Sequence, residues 1–106
     1  MAEQFLYLTT TGRKSGLPRE IEIWFTEHDG RYYIVAEHGS DAHWVRNVMA
    51  NPDVQVRVGT RSFRGTAGIV SDRYDAEMAK QRSREKYGWG DGLVVEIAQS
   101  GDPVIG

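Results

Sequence analysis

The stretch EIEIWFTEHDGRYYIVA, residues 20–36, decides the architecture. Ile21, Ile23 and Phe25 alternate with Glu20, Glu22, Trp24 and Thr26, the period-two pattern of a half-buried strand, which predicts a strand over 20–27. His28-Asp29-Gly30 is a connection of hairpin length, so RYYIVA, 31–36, is expected to pair antiparallel with that strand. Working outward, QFLYLTTT (4–11), VQVRV (54–58), RSFRGTAGIV (61–70) and LVVEIAQ (93–99) carry the same chemistry between Gly-rich turns. Val54, Val56 and Val58 share one face, with Gln55 and Arg57 on the other. Gly65 and Gly68, inside a strand, suggest the bulge or sharp bend that a barrel corner needs.

Two helices interrupt the strands. One is predicted over 42–50, started by Ser40 or Asp41 as cap, stopped by Asn51-Pro52, with Trp44/Val48 and Val45/Met49 as its apolar pairs. The other is predicted over 72–87, capped by Asp72. Its interior is mostly polar, so it reads as a surface helix with Tyr74, Met78 and Tyr87 available to pack inward. About six short strands and two helices in 106 residues suggest a mainly β chain, a small closed or half-closed barrel forming one domain over 1–106.

Composition narrows the function. A formal net charge of −2, with 13 basic and 15 acidic residues, lacks the basic excess on which nucleic-acid affinity depends. No apolar run approaches the roughly 18 residues of a bilayer span, and the N-terminal MAEQFLYLTTTG has no basic or apolar region of a secretory signal. With no cysteine there is no disulfide, thiolate ligand or thiol nucleophile, which fits a cytoplasmic location.

Three segments carry candidate chemistry. In Thr9-Thr10-Thr11-Gly12-Arg13-Lys14-Ser15-Gly16, followed by Leu17-Pro18-Arg19, two glycines free a turn for positive φ, three cations lie within seven residues, and hydroxyls flank them. The turn is either an anion-holding nest suited to phosphate or simply a soluble hairpin tip. It is no Walker A loop, because the GxxxxGK[ST] order is missing. In Ala36-Glu37-His38-Gly39-Ser40-Asp41, leading to His43-Trp44, the five-residue His38–His43 spacing is not that of a helical zinc pair, so no metal is expected. The segment reads as a β–α turn with a capped helix, or as a turn whose amides meet the edge of a flat heterocycle. Tyr87-Gly88-Trp89-Gly90 is a lid, or a piece of core or interface. No serine sits in a GxSxG elbow, so a hydrolase triad is unsupported.

LTTTGRKSGLPR, RYYIVAEHG and HWVRNVMANPDVQVRVG, in unbroken order over residues 5–70, resemble the deazaflavin-dependent nitroreductase family. That family is related to the pyridoxamine-phosphate-oxidase-like FMN-binding proteins. The resemblance rests chiefly on TTGRKSG and on W-x-x-N-x-x-x-N-P, from Trp44 and Asn47 to Asn51 and Pro52. It implies a six-to-seven-stranded antiparallel split β-barrel and coenzyme F-420, with FMN as the alternative. It also implies that Gly12, Arg13, Lys14, Ser15 and Gly16, beside Thr11, hold the phosphate, with Arg19 meeting phosphate or tail carboxylates. Ala36, Glu37, His38 and Gly39 would lie beside the ring, and Trp44 and Asn47 would orient that loop.

The activity so implied is hydride transfer between F-420 (or FMN) and a small conjugated acceptor such as a quinone, enone or nitro compound. No side-chain nucleophile is expected, since the cofactor carries the chemistry. The acceptor would stack against Trp24 or Trp89. The alternative is a carrier that binds a flavin-like molecule without turnover. A homodimer is expected, because so small a barrel gains by covering its open face.

Overall fold

The computed structural model describes residues 3–100, which form seven strands and two α-helices. The strands are β1 (Phe5–Thr11), β2 (Pro18–Trp24), β3 (Thr26–His28), β4 (Arg31–Ala36), β5 (Asp53–Val58), β6 (Arg61–Ile69) and β7 (Leu93–Gln99). Helix α1 (His43–Ala50) follows β4, and α2 (Arg73–Tyr87) follows β6. Every strand pairing is antiparallel, in the order β2-β1-β5-β6-β7-β4-β3.

That order explains the shape. The two edge strands, β2 and β3, are consecutive in the chain and separated by Phe25 alone. The sheet must therefore curl until its edges meet, giving a half-barrel with one seam. The single strand expected over 20–27 is two strands for this reason: β2 pairs with β1, while β3 pairs with β4. Thr26, expected to face outward, is buried, because the break at Phe25 shifts the alternation by one. Asp29 (φ 53°) and Gly30 (φ 76°) close the β3–β4 hairpin as the sequence suggested.

The barrel interior is filled by Leu6, Leu8, Ile34, Val56, Val95 and Ile97, with Val45 and Val48 of α1. Strand β4 is buried on both faces, which is why RYYIVA reads as an almost continuous apolar run: Tyr32, Ile34 and Ala36 point inward, while Tyr33 packs with Ala79 of α2.

The helices depart from expectation in three details. Neither Ser40 nor Asp41 caps α1. Both lie in a single 3-10 turn (Gly39–Asp41), and Ala42 is the residue before the helix. Met49 is 60% exposed, because Asn47 is drawn inward and the buried stripe runs through Val45, Asn47 and Val48. In α2 Met78 packs against the Tyr33–Ala79–Val94 cluster as expected, but the buried positions are Ala79 and Ser83, one turn apart, and Tyr74 is exposed. Asp72 caps α2 as expected, its Oδ1 accepting from the Asp75 amide at 2.9 Å. Among the described residues, no helix is long and apolar enough to cross a membrane.

Candidate functional site

The connection between β1 and β2 is a tight turn over the cationic segment. Its neck is closed by Gly12 N–H donating to the Leu17 carbonyl and by Gly16 N–H donating to the Gly12 carbonyl, both at 2.8 Å. Gly16 supplies the positive φ (73°). Gly12 acts differently: a Cβ there would stand 2.6 Å from Ser15 Oγ and 3.1 Å from the Leu17 carbonyl oxygen, so closeness of approach requires the glycine.

Asn47, buried on α1, pins this turn. Its Oδ1 accepts from the Arg13 amide (3.2 Å) and from Arg13 Nη1 (2.9 Å), while its Nδ2 donates to Thr10 Oγ1 (3.2 Å). Arg13 also reaches the His43 carbonyl and ring Nδ1, each at 3.4 Å. The guanidinium is thus laid against the first turn of α1, with Lys14 and Arg19 exposed beside it. Arg31, Arg46, Arg57, Arg61 and Arg84 each pair with a carboxylate, whereas Arg13, Lys14 and Arg19 form no ion pair among the described residues. Three cations without a paired carboxylate at one turn have the chemistry that an anion requires.

These cations line a groove of about 640 Å³ together with Glu20, which pairs with Arg57 at 3.8 Å, and with His43, Trp44 and Asn47. Trp44 is also a wall of a second cleft, of about 580 Å³, lined by Trp24, Trp89, Phe5, Ala36, Glu37 and His38. The two cavities therefore adjoin through one indole, cationic on one side and aromatic on the other. Glu37 and His38 pair with each other at 3.4 Å, and their amides have no hydrogen-bond partner among the described residues. The segment after α2 carries Trp89 to the cleft: Gly88, in the left-handed conformation, donates to the Arg84 carbonyl at 2.8 Å, and Ser83 Oγ donates to the Trp89 carbonyl at 2.5 Å. This tether along α2 makes Trp89 a wall of the cleft.

The expected site residues are thus sorted by position. Gly12, Arg13, Lys14, Ser15, Arg19, Trp44 and Asn47 meet in the cationic groove. Trp24, Ala36, Glu37, His38 and Trp89 meet in the aromatic cleft. Thr11 and Gly16 line a different depression, shared with Asp53, Gln55 and Arg64, and Gly39 lines neither cavity. Thr10 is 1% exposed, and its hydroxyl oxygen accepts from Asn47 Nδ2, so burial and not a spent proton keeps it from an anion at the surface. Among the described residues, no cluster of three or more His, Asp or Glu side chains is arranged to hold a metal ion.

Sequence reasoning did not single out Phe5 or Glu22 for the cleft. Alternation places them on strand faces, and only the curl of the sheet brings the ends of β1 and β2 to the loop after β4.

Comparison with known proteins bears on this arrangement. The family described as F420H(2)-dependent quinone reductase matches residues 1–91. The F420H(2)-dependent quinone reductase Rv1261c of Mycobacterium tuberculosis is 40% identical over 78 residues, which are 71% of this chain and 52% of that protein. The chain thus spans about half the length of the curated relatives it matches. Among solved structures, an F420-H2 dependent reductase (FDR-A) superposes with a TM-score of 0.74 at 29% identity, covering 93% of this chain and 96% of the other. A domain-swapped dimer superposes with a TM-score of 0.76 at 28% identity, covering 93% and 82%. The heme storage protein HutZ of Vibrio cholerae shares the fold, with a TM-score of 0.76 at 16% identity, covering 94% and 84%.

Proposed function

The chain belongs to the F420H(2)-dependent quinone reductase family, and from this premise we propose that it binds coenzyme F-420 and catalyses reduction of a quinone or related conjugated acceptor. The observation that carries this reading is the junction at Trp44, where a groove with three unpaired cations meets a cleft walled by Trp24, Trp44 and Trp89. A phosphorylated stem attached to a flat ring has that same division.

The residues present fit such a molecule. Lys14 and Arg19, with the turn Gly12–Gly16 held in place by Arg13 and Asn47, would hold the phosphodiester. Trp44 would form the wall behind the stem, and the amides of Glu37 and His38 would meet the polar edge of the ring. When bound, F-420 supplies a hydride, which is its own chemistry and not the chain's. The chain's contribution is to orient, to exclude water and to present an aromatic floor. Trp24 and Trp89 offer that floor to a flat acceptor, and offset stacking on them favours quinones over aliphatic carbonyls. Glu37 lines the aromatic cleft and not the cationic groove, where Glu20 is the carboxylate that an acidic tail would meet.

The likeness to a domain-swapped dimer and the exposed Leu17, Met49 and Ile69, which lie outside the aromatic cleft, favour a homodimer built from one domain over 1–106. The absence of cysteine favours a cytoplasmic setting. Light scattering is expected to give twice the 12.0 kDa of the chain.

The decisive experiment mixes purified protein with reduced F-420 and a panel of quinones, enones and nitroaromatics, and with reduced FMN in parallel. Oxidation of F-420 faster than in buffer, with quinones best, is the expected result. Tight binding without acceleration would make the chain a carrier, and binding of FMN alone would replace the cofactor.

A further inference from the structure

Phe25 lies at the seam of the barrel, where neither neighbouring strand completes the backbone pairing. Tyr87, the last residue of α2, occupies that place. Its hydroxyl accepts from the Phe25 amide at 2.9 Å and lies 2.7 Å from the carbonyls of both Phe25 and Gln4, either of which takes its proton. Lys86 Nζ donates to the same Phe25 carbonyl at 2.9 Å and stands 3.9 Å from the Phe25 ring centre. The Tyr87 ring, so fixed at its far end, lies flat against Trp24, with centroids 4.4 Å apart and planes 3° from parallel. Trp24 is 40% exposed and lines the aromatic cleft, of which Tyr87 is not itself a wall.

We propose that Tyr87 is a positioning residue: by stacking on Trp24 it sets the plane of that indole and so the geometry of the acceptor end of the cleft. The acceptor part of this inference rests on the function proposed above; the control of Trp24 does not. The physical argument is one of preorganisation. An exposed indole on an edge strand has several rotamers, and a flat acceptor stacks on only one of them. Tyr87 removes that freedom before the acceptor arrives. Its own hydroxyl is anchored to backbone at the start of β1 and at the seam, not to a mobile side chain. The end of α2 is thereby coupled to the cleft without touching the acceptor.

The test labels the full chain with fluorotryptophan, whose three resonances report Trp24, Trp44 and Trp89 separately, the Trp24 line being assigned from Trp24→Phe. In Tyr87→Leu the Trp24 line is expected to move and narrow while that of Trp44 holds. In Tyr87→Phe, which keeps the ring, the Trp24 line should stay near its original position. Quinone KM should rise about two- to tenfold in Tyr87→Leu, the span a stacked aromatic pair is worth, with F-420 affinity unchanged. In a Trp24→Leu background the same substitution should add little, because its path to the acceptor is gone. Should Tyr87→Leu not fold, Tyr87→Gln, which keeps a polar end for Phe25 but no ring, makes the same comparison.

An unmoved Trp24 line overturns the proposal. A KM penalty of full size in the Trp24→Leu background overturns it too, since Tyr87 would then act by another route. If the unaltered protein reduces no quinone, the proposed function fails, while the Trp24 line still decides whether Tyr87 sets the indole.

Discussion

Asn47 Oδ1 accepts two hydrogen bonds from Arg13, one from its amide and one from its guanidinium, while the Asn47 amide nitrogen donates to Thr10. One buried side chain thus joins α1, the end of β1 and the cationic turn. Replacing it by alanine leaves the Arg13 amide and the Thr10 hydroxyl without partners in a part-buried setting, which costs about 1–3 kcal/mol for each group left unsatisfied. Asn47→Ala is expected to lower the urea midpoint accordingly and to weaken F-420 binding. Asn47→Asp, which keeps the acceptor toward Arg13 but loses the donor toward Thr10, should restore much of the affinity. Equal affinity in Asn47→Ala and the unaltered protein would show that the turn holds its shape without this pin.

The cationic turn contains two kinds of charge. Arg13 is engaged with Asn47 and His43, whereas Lys14 forms neither hydrogen bond nor ion pair among the described residues. Lys14→Ala should therefore leave stability within about 0.5 kcal/mol and weaken F-420 by roughly three- to tenfold, as expected for one exposed charge. Arg13→Ala should lower both stability and affinity. The double variant should lose about ten- to a hundredfold in affinity, given roughly 1.5–3 kcal/mol for a charge-assisted hydrogen bond discounted for exposure. Fluorescence titration at two salt concentrations checks this, since the loss must shrink as salt rises. Affinity unchanged in the double variant would move the phosphate site elsewhere.

The seam also has a pH signature. Burial raises the Tyr87 phenol, against a smaller opposing effect of its bond to the Phe25 backbone, and burial likewise raises Tyr32 and Tyr33. A phenol that holds its proton more tightly when folded contributes stability fully below the ordinary value of about 10, and loses it as pH rises through the raised value. Burial lowers Lys86, against the pull of Glu27 and Glu3. That shift has the opposite sign: the unfolded chain binds this proton more tightly, so stability increases with pH between the lowered value and about 10.4. Urea midpoints measured from pH 8 to pH 11 should fall above about pH 10. Tyr87→Phe should make the fall shallower, and Lys86→Met should remove the gain that precedes it. An identical alkaline slope in Tyr87→Phe would place the responsible phenols elsewhere.

Much of this molecule was legible in residues 5–70, but one junction was not. Alternation and hairpin length are local signals, so β1, the β3–β4 turn, β5 and β7 lie within a residue or so of expectation. Phe25 continues the alternation of β2, and nothing in the local pattern says that the chain there changes partner strands. That information is topological, set by where the sheet closes. The site divides in the same way. The cations of the turn were visible as a cluster, and Trp24 and Trp89 as candidate walls. The meeting of β1, β2 and the loop after β4 in one cleft depends on the curl. Asn47 reads as a polar residue on a short helix, and its burial follows from two partners 34 and 37 positions away.

Gly65 and Gly68 look alike in sequence, and the structure separates them. Both ladders of β6 run in unbroken register, without the bulge that the sequence suggested; Gly65 pairs with Val54 of β5 and Gln99 of β7, and a Cβ there would stand 2.8 Å from Ile97 Cγ2 and 3.0 Å from the Ala98 carbonyl oxygen. Neither neighbour is the free end of a flexible chain: Ile97 is fully buried and Ala98 belongs to the ladder. Gly65→Ala must push β6 and β7 apart where they pair, and is expected to lower stability by about 1–3 kcal/mol, the usual range for overpacking. At Gly68 nothing lies within 4 Å of the same atom, and φ is not positive. Gly68→Ala removes unfolded-chain entropy without a clash, so it should be neutral or stabilising by up to about 1 kcal/mol. Thermal melts of the two variants side by side check the pair. Equal destabilisation would mean that the close approach of Ile97 and Ala98 to Gly65 is not what sets the cost.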